Sequence, residues 1–369
     1  MTAENAALAA AARSLSSTFH RELTGWQRSH GRHHLPWQRT RDPYRVWLSE
    51  IMLQQTQVTT VLGYYERFLA RFPDVAALAA APEDDVLGLW SGLGYYSRAR
   101  NLHRCAQEVV ARFGGRFPSA AAELATLPGI GRSTAAAIAA FCFGERVAIL
   151  DGNVRRVLAR LLAYGGDLAV AGNERALWAA ADDLLPPAGR PDDIAAYTQG
   201  LMDLGATICL PRRPDCLLCP VQSLCRARAG GDVERYPVRS RKLRRTAQTL
   251  WVLLARRPAD GAVWLQKRPA RGIWAGLWAL PVFDTREALL AACPPEAGGG
   301  MRDLPAFVHV LTHKDLHLHP VVVAAPAART PGTDGEWIAP DRWPALGLPA
   351  PVRRLLEQHA AAEPKPSAA

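Results

Sequence analysis

Four cysteines lie close together between residues 209 and 225, as Cys209, Cys216, Cys219 and Cys225. Thiolates are the ligands that iron–sulfur clusters and many structural zinc ions prefer. A structural zinc site more often combines two distant cysteine pairs or includes histidine. Four thiolates in one short loop without histidine suit a [4Fe–4S] cluster held by a single wrapped segment. The spacing therefore predicts such a cluster, with a zinc loop as the alternative.

Glu50 lies in the segment Tyr44–Val58, whose apolar residues recur at helical spacing. A carboxyl group at the edge of an apolar helix face is partly desolvated, which raises its pKa and lets it hold a proton near neutral pH. That property suits a general acid, and the alternative is an ordinary solvated glutamate. Gln54, Gln55 and Thr56 follow directly, and polar groups of this kind suit contact with base edges or a flipped nucleotide.

Asp151 follows the apolar run Val147–Leu150 and begins the string Asp-Gly-Asn-Val. Aspartate is a favoured N-cap residue, so a helix start explains this residue without further function. The functional interpretation is an ionised carboxylate at a helix N-terminus, whose charge is available to an electron-deficient sugar.

A turn rich in glycine separates two helical stretches between about residues 124 and 141. Gly129 and Gly131 allow the backbone to approach a ligand, and the next helix, which contains Ser133, begins with its amide groups directed at the turn. These features are typical of a helix-hairpin-helix motif, which binds a DNA phosphate without reading the sequence. A plain turn between two helices is the alternative.

The elements that position these residues divide the chain into two regions. Helical spacing with short Gly/Pro stops extends from about Trp26 to Arg226. Strand patterns then follow at 249–254, 263–266, 308–311 and 318–324, and a closing helix is expected at 351–361. We therefore expect a multidomain protein with an all-α core and an α+β C-terminal domain. The predicted parts are a flexible tail (1–18), a helical domain (19–228) with the cysteine loop (209–225), a linker (229–246), the α+β domain (247–359) and a second tail (360–369).

The net charge points to a polyanionic partner. The 369 residues include 44 Lys+Arg against 34 Asp+Glu, which gives a net charge of +10. A basic excess attracts nucleic acid first and anionic membrane surfaces second. No apolar run of about 18 residues is present, so no membrane span is expected. Arg212 and Arg213, between the first two cysteines, are placed to contact phosphates.

Several motifs together resemble one enzyme family. The glycine turn followed by Asp151 is similar to the helix-hairpin-helix glycosylase superfamily. Within it, LSEIMLQQTQV, GLGYYSRARNLH, LPGIGRSTA, LDGNVRRVL and the cysteine spacing resemble the MutY adenine DNA glycosylases. Those motifs span most of residues 36–225. The resemblance implies a base excision repair enzyme that removes adenine mispaired with 8-oxoguanine or guanine in duplex DNA.

The resemblance also implies roles for individual residues. Glu50 is expected to protonate adenine, Asp151 to stabilise the cationic sugar or capture it covalently, and Asn153 to orient the site. Tyr95 is expected to wedge into the duplex, and Arg98 to contact DNA beside it. Gln55 and Thr56 would approach the opposite base.

Three departures from related sequences refine this expectation. Superfamily members that also cleave the DNA backbone carry a lysine where this chain has Ser133, so base removal without strand cleavage is expected. Residues 264–281 resemble the first strands of a Nudix fold, but no Glu-rich Mg²⁺-binding box follows, so this domain is expected to bind and not to hydrolyse. It would read the lesion through Leu311, Thr312 and His313, where related proteins carry Phe-Ser-His.

The remaining expectations concern the setting of the protein. We expect a monomer in the bacterial cytoplasm, associated with the nucleoid through DNA. A non-enzymatic iron–sulfur regulator is the alternative from another class, but a pure binder needs neither Glu50 nor Asp151. A bifunctional pyrimidine glycosylase/lyase is the alternative among enzymes.

Overall fold

The computed structural model describes residues 3–189, 191–240, 245–293, 300–325 and 334–359. The chain forms two compact units, each of which is made of several separate stretches of the sequence. Unit 1 is drawn from residues 1–55, 74–76 and 104–242, and unit 2 from residues 56–73, 77–103 and 243–369. Unit 2 therefore combines one part of the helical region with the C-terminal region.

The helical region follows the chain as a series of α-helices joined by short turns. In order, the helices are α1 Ala3–His30, α2 Pro43–Leu53, α3 Val58–Arg71, α4 Val75–Ala80, α5 Glu83–Leu89, α6 Ser97–Phe113, α7 Ala121–Leu124, α8 Arg132–Ile138, α9 Gly152–Leu161, α10 Ala171–Asp183, α11 Pro191–Thr207 and α12 Arg226–Ala229. A π-helical turn, Ala139–Phe143, extends α8. The all-α core that the sequence predicts is confirmed.

The predicted flexible tail at residues 1–18 is wrong. Residues 3–30 form the continuous helix α1, which packs against α10 and α11. Leu8, Ala11, Ala12 and Phe19 are buried in the core of unit 1. Alanine has the highest helix propensity, and these small residues allow close helix packing, so the Ala-rich composition marks a packed helix here.

The single helix expected over residues 44–58 is also wrong, because two helices meet there. Helix α2 begins after Asp42, whose side chain accepts a hydrogen bond from the Tyr44 amide, and it ends at Leu53. Gln55 has a left-handed backbone with φ of 57°, which cannot continue the helix. Residues 54–57 form the connection to α3. The polar run thus forms an interhelical turn, and Glu50 lies in the last turn of α2.

The C-terminal region is a mixed sheet with two helices. Its elements are β1 Thr246–Arg256, β2 Val263–Lys267, β3 Trp278–Ala279, β4 Val282–Phe283, α13 Arg286–Ala292, β5 Arg302–Asp303, β6 Phe307–Val310, β7 Lys314–Ala324, β8 Gly335–Ile338 and α14 Ala350–His359. The strand order is β3-β2-β1-β7-β5, with β4 on β1, β6 on β7 and β8 on β2. Strands β1 and β7 are parallel over their whole length, whereas the other pairs are antiparallel.

The two faces of this sheet carry separate cores. One face packs Leu250, Leu254 and Leu318 against Leu355 and Leu356 of α14. The other packs Leu253, Val321 and Val323 of the central strands against Leu289 of α13. The alternation follows from the period of two along a strand. The four predicted strands and the closing helix are confirmed, with β1 and β7 longer than predicted.

The first half of the predicted linker lies along unit 1. The Arg160 guanidinium donates to the Tyr236 carbonyl at 3.1 Å, and the Leu168 amide donates to the Val238 carbonyl at 3.1 Å. Ser240 donates to the Asp167 carboxylate. Residues 241–244 and the predicted tail 360–369 lie outside the described residues. Among the helices that the structure describes, none has the length and hydropathy that a membrane crossing requires.

Candidate active site

Glu50 is partly buried on α2, between residues that are fully enclosed. Ser49 and Ile51 on either side of it are buried, as are Trp47 and Leu48. Burial of the carboxyl group, together with the nearby charge of Asp151, raises the pKa of Glu50 to about 8. A carboxyl group with this pKa is mostly protonated at neutral pH, as a general acid must be, and the role of Glu50 as that acid stays a prediction.

Asp151 is the N-cap of α9, as its position in the sequence predicts. Its carboxylate accepts a hydrogen bond of 2.7 Å from the Val154 amide. Burial raises the pKa of Asp151, whereas the backbone amides of Val154 and Asn153 and the charges of Arg156 and Arg155 lower it. The helix N-terminus and two arginines thus stabilise the ionised form of this carboxyl group.

The structure places Glu50 and Asp151 close enough to interact electrostatically. After burial, the charge of Asp151 is the second cause that raises the pKa of Glu50. Burial is the largest effect on both groups and raises both pKa values, but only Asp151 also has hydrogen-bond donors and positive charges that lower its pKa. Two carboxyl groups in environments that separate their pKa values are the usual arrangement of an acid paired with a charged stabiliser.

Asn153 connects the start of α9 to the cysteine loop through Arg156. The Arg156 guanidinium donates to the Asn153 side-chain oxygen at 2.8 Å, to the Gly205 carbonyl at 2.6 Å and to the Cys209 carbonyl at 2.8 Å. Gly205 lies on α11, where an added Cβ would come within 2.7 Å of the Asn153 Cβ. The close approach of α9 and α11 therefore requires glycine at this position.

Ser133 supports the segment that leads into Asp151. Its hydroxyl oxygen accepts a hydrogen bond of 3.1 Å from the Leu150 amide. Leu150 is the last buried residue before Asp151. The hydroxyl thus couples α8 to the position of Asp151, which is a role that the sequence did not indicate.

The glycine turn between α7 and α8 is exposed at its tip. Gly129 has a left-handed backbone with φ of 76°, and Gly131 is the N-cap of α8, while Ile130 between them is buried. The turn therefore presents backbone amides to solvent from a fixed position. Arg132 does not extend from it freely, because its guanidinium stacks on the Trp178 ring at 3.8 Å.

The four cysteines line one cavity, next to Arg160 of α9 and Leu204 of α11. Arg160 is fully buried and donates to the Cys209 sulfur at 3.3 Å, and to the carbonyls of Leu210 and Pro211. Burial raises the pKa values of Cys216, Cys219 and Cys225, and the other cysteines add to this effect. Among the described residues, no three His, Cys, Asp or Glu side chains converge closely enough to hold a single metal ion.

The loop that these cysteines enclose is exposed at its surface. Arg212 and Arg213 are exposed, and the Arg213 amide donates to the Glu234 carboxylate at 2.7 Å. Leu217 and Leu218, between the second and third cysteines, are 77% and 68% exposed. The loop therefore offers two cations and an apolar tip to solvent.

In unit 2, Tyr95 lies on a glycine-bounded turn at the start of α6. It is 45% exposed with a left-handed backbone, and its hydroxyl lies 2.9 Å from the Thr312 hydroxyl. Arg98 is only 9% exposed, and it donates to Thr56 and to the carbonyls of Leu93 and Gly94. These contacts give Arg98 a supporting role for the turn, and its contact with DNA stays a prediction.

The turn Leu311-Thr312-His313 joins β6 to β7, and its last two residues are exposed. The Leu311 amide donates to the Lys314 carbonyl at 2.8 Å, and the Thr246 amide donates to the His313 carbonyl at 3.1 Å. Arg245 donates to the Leu311 carbonyl at 3.1 Å and pairs with Asp315. The predicted lesion-reading residues thus lie together on a turn that is held at both ends.

Comparison with known proteins agrees with this architecture. Residues 48–180 match the HhH-GPD superfamily of base excision DNA repair proteins, and residues 251–358 match the NUDIX domain. The adenine DNA glycosylase of Buchnera aphidicola subsp. Acyrthosiphon pisum (strain APS) is 33% identical, over 92% of this chain and 97% of that protein. The chain belongs to the adenine DNA glycosylase family.

A second relative and one solved structure are similar to the chain over most of their own length. The adenine DNA glycosylase of Homo sapiens is 34% identical, with 94% of this chain and 75% of that protein covered. The solved structure of a thermostable thymine-DNA glycosylase matches 59% of this chain and 97% of its own, with a TM-score of 0.52 and 30% identity. As a member of this adenine DNA glycosylase family, the protein is a DNA-binding enzyme of base excision repair.

The site includes residues that sequence reasoning missed. Arg156 and Arg160 follow Asn153 at positions i+3 and i+7, so all three share one face of α9. This spacing could have identified them, because arginines on the same helix face as a candidate site residue indicate polar contacts with it. The π-helical turn also places Cys142 near Glu50, since the charge of Glu50 raises the pKa of that thiol.

The close approach of α9 and α11 predicts the effect of a substitution at Gly205. We expect Gly205→Ala to displace Asn153, to lower the single-turnover rate of adenine release, and to destabilise the fold by on the order of 1–3 kcal/mol through overpacking. Gly25→Ala on α1 is the matched control, because an added Cβ there meets nothing within 4 Å. Equal rates and melting temperatures for Gly205→Ala and the wild type would contradict the steric constraint.

Proposed function

We propose that this adenine DNA glycosylase removes adenine mispaired with 8-oxoguanine, or with guanine, from duplex DNA by hydrolysing the N-glycosidic bond. The observation that carries the proposal is the pair formed by Glu50, with its pKa raised to about 8, and Asp151, held at the N-terminus of α9. A protein that only binds DNA needs no such pair, because a buried carboxyl group with a raised pKa destabilises the fold at neutral pH.

The general acid step follows from the protonation state of Glu50. Neutral adenine is a poor leaving group until one of its ring nitrogens accepts a proton, and Glu50 supplies that proton. The bond between the sugar and the base then breaks with its electron pair going to adenine, which leaves an oxocarbenium-like sugar. The resulting Glu50 carboxylate positions or activates the water molecule that adds to the sugar and loses a proton.

Asp151 acts on the positive charge that develops on the sugar. Its carboxylate, held by the Val154 amide, either stabilises this charge electrostatically or captures the sugar covalently for water to release. Asn153 positions the start of α9 through its hydrogen bond with Arg156. Ser133 does the same from α8 through the Leu150 amide.

The reaction stops at base removal. Strand cleavage by this superfamily proceeds through an imine and requires an amine nucleophile. The chain has lysine only at positions 242, 267, 314 and 365, so its helical region before residue 242 contains none. Ser133 occupies the position of the nucleophilic lysine. Arg155, close to Asp151 in the sequence, carries a guanidinium in place of an amine and is paired with Glu174 at 2.5 Å.

The cysteine loop holds a [4Fe–4S] cluster on Cys209, Cys216, Cys219 and Cys225. The four thiols fit this group, because they line one cavity and belong to a single short loop that contains no histidine. Arg160 supplies a buried positive charge and a donor to the Cys209 sulfur, which suit an anionic thiolate. When bound, the cluster supplies a rigid structural centre for the loop.

Contacts with DNA come from several turns on the two units. Gly129 and Gly131 bind a phosphate through backbone amides, and Arg212 and Arg213 bind phosphates from the cysteine loop. Tyr95 wedges into the base stack. Gln54, Gln55 and Thr56 lie on the turn after α2, where Gln54 contacts DNA and Gln55 and Thr56 approach the base opposite adenine. Arg98 contacts DNA beside Tyr95. The Nudix-like domain reads 8-oxoguanine through Leu311, Thr312 and His313.

We further propose that the helical domain comprises residues 19–228 and the Nudix-like domain residues 247–359. We also propose that the protein is a monomer in the bacterial cytoplasm.

The raised pKa of Glu50 predicts the pH dependence of catalysis. Because the protonated form of Glu50 is the active one, the rate of adenine release should fall as the pH rises through about 8. Glu50→Gln should lower the rate by on the order of 10² to 10⁴, the usual contribution of a general acid. The measurement is single-turnover adenine release from duplex DNA with adenine opposite 8-oxoguanine. The pH range runs from about 6 to about 9, which extends at least one unit to each side of the pKa of Glu50.

Asp85→Asn is the matched control, because this exposed carboxylate belongs to unit 2 and pairs with Arg71. It should leave the rate and its pH profile unchanged. A wild-type protein that releases no free adenine would sink the proposal. A covalent adduct trapped with borohydride would instead identify a bifunctional lyase.

The cysteine loop predicts a second outcome. Cys219→Ser should abolish the visible absorbance and the acid-labile sulfide of an iron–sulfur cluster, whereas Cys142→Ser, outside the loop, should retain both. Metal and sulfide analysis of the purified protein checks this. Zinc in place of iron, or loss of the cluster in Cys142→Ser to the same degree, would contradict the assignment.

A further inference from the structure

The turn that carries Tyr95 is an unusual piece of backbone. Gly92, Gly94 and Tyr95 have left-handed φ values of 103°, 72° and 48°. An added Cβ at Gly92 would come within 2.2 Å of the Tyr64 hydroxyl, so glycine is required there. A non-glycine residue such as Tyr95 adopts this conformation at an energetic cost, which surrounding contacts must offset.

Part of that support comes from neighbouring helical residues. The Tyr64 hydroxyl donates to the Ser91 carbonyl at 2.7 Å, and the Trp90 indole donates to the Gly94 carbonyl at 3.1 Å. Arg98 donates to the Gly94 carbonyl as well, at 3.2 Å. These contacts hold the two ends of the turn but not the Ser91 side chain.

The Ser91 side chain is held by the Nudix-like domain, within the same compact unit. The Arg353 guanidinium, on α14, donates to the Ser91 hydroxyl through Nη2 at 3.0 Å and Nε at 3.3 Å. The same guanidinium donates to the carbonyls of Pro344 and Leu346 at 3.1 Å. Arginine has five donors in one rigid plane, which is why a single side chain can join three acceptors here.

A second bond runs alongside the first. The Tyr96 hydroxyl donates to the Leu348 carbonyl at 2.7 Å, and the Gly92 amide donates to this hydroxyl at 3.4 Å. Burial raises the pKa of Tyr96, so the hydroxyl keeps its proton for this bond. We call Ser91, Tyr96, Leu348 and Arg353 the wedge seam.

Tyr95, the proposed wedge, and the turn that carries it therefore contact the Nudix-like domain at two places. The wedge seam fixes the backbone beneath Tyr95, and the Tyr95 hydroxyl contacts Thr312 on the predicted lesion-reading turn. The lesion-reading turn is held in place by Arg245 and Thr246. The distance between this turn and Tyr95 therefore depends on the backbone that carries Tyr95, which α14 holds through Ser91.

We propose that Arg353 is a positioning residue for lesion recognition, which acts through Ser91 on the placement of Tyr95 against Thr312. The inference rests on the proposed function. In this proposal the Nudix-like domain fixes the position of Tyr95, in addition to contacting the lesion directly. Arg353 touches neither of the two catalytic carboxyl groups, so its loss should affect the choice of mispair and not the general acid.

The test is a double-mutant cycle read out as a specificity ratio. The ratio compares kcat/KM for adenine release opposite 8-oxoguanine with kcat/KM opposite guanine, in wild type, Arg353→Ala, Tyr95→Ala and the double variant. Arg353→Ala should lower the ratio on the order of tenfold, the typical effect of one lost charge-assisted hydrogen bond. In the Tyr95→Ala background, Arg353→Ala should lower it no further, because both changes act on one element.

A merely structural role predicts a different pattern. It would lower stability and activity on both mispairs alike, and its effect would add to that of Tyr95→Ala. Arg286→Ala is the matched control, because Arg286 pairs with Asp303 on the surface of the same domain. This variant should leave the ratio unchanged.

Tyr96→Phe provides a second route if Arg353→Ala does not fold. It keeps the ring and removes only the hydroxyl that bonds to Leu348, and it should lower the ratio in the same non-additive way. An unchanged ratio in Arg353→Ala, or in Tyr96→Phe when that variant takes its place, would overturn the inference, as would additive effects. A wild-type protein without preference for 8-oxoguanine would count against the proposed lesion recognition instead.

Discussion

The central physical constraint is that two carboxyl groups, Glu50 and Asp151, interact in a partly buried site. Two like charges in such a place cannot both form without a large free-energy cost, so their pKa values separate. Burial raises the pKa of both carboxyl groups and is the largest effect on each, but only Asp151 also receives the Val154 amide and the charges of Arg156 and Arg155, which lower its pKa. The acid and the charged stabiliser of the proposed reaction follow from that asymmetry.

Helix α9 extends this constraint through unit 1. It begins at Asp151, and its arginines contact Asn153, the α11 backbone and the cysteine loop in turn. The loop therefore contacts α9 through Arg156 and Arg160, of which Arg160 is buried. Gly205 and Ser133 serve the same purpose from α11 and α8, by close approach and by one hydrogen bond.

The sequence was sufficient for the helical core, the Nudix-like sheet, the cap at Asp151 and the family, because each depends on local spacing or on several motifs together. It failed at residues 1–18, where alanine suggested a loose segment although Leu8 and Ala12 pack into the core. It also failed at Gln55, since the left-handed conformation that ends α2 has no clear signature in a glutamine. Arg156, Arg160 and Arg353 were missed because their partners are mostly backbone carbonyls, which come from distant parts of the chain.

The protonation state of Glu50 can be observed without catalysis. Infrared difference spectra of the wild type against Glu50→Gln, recorded across pH, isolate the carbonyl stretch of this one carboxylic acid. We predict that the band is present at neutral pH and disappears as the pH rises through about 8. A band that disappears near the ordinary value of 4.5 would contradict the assignment of Glu50 as the acid.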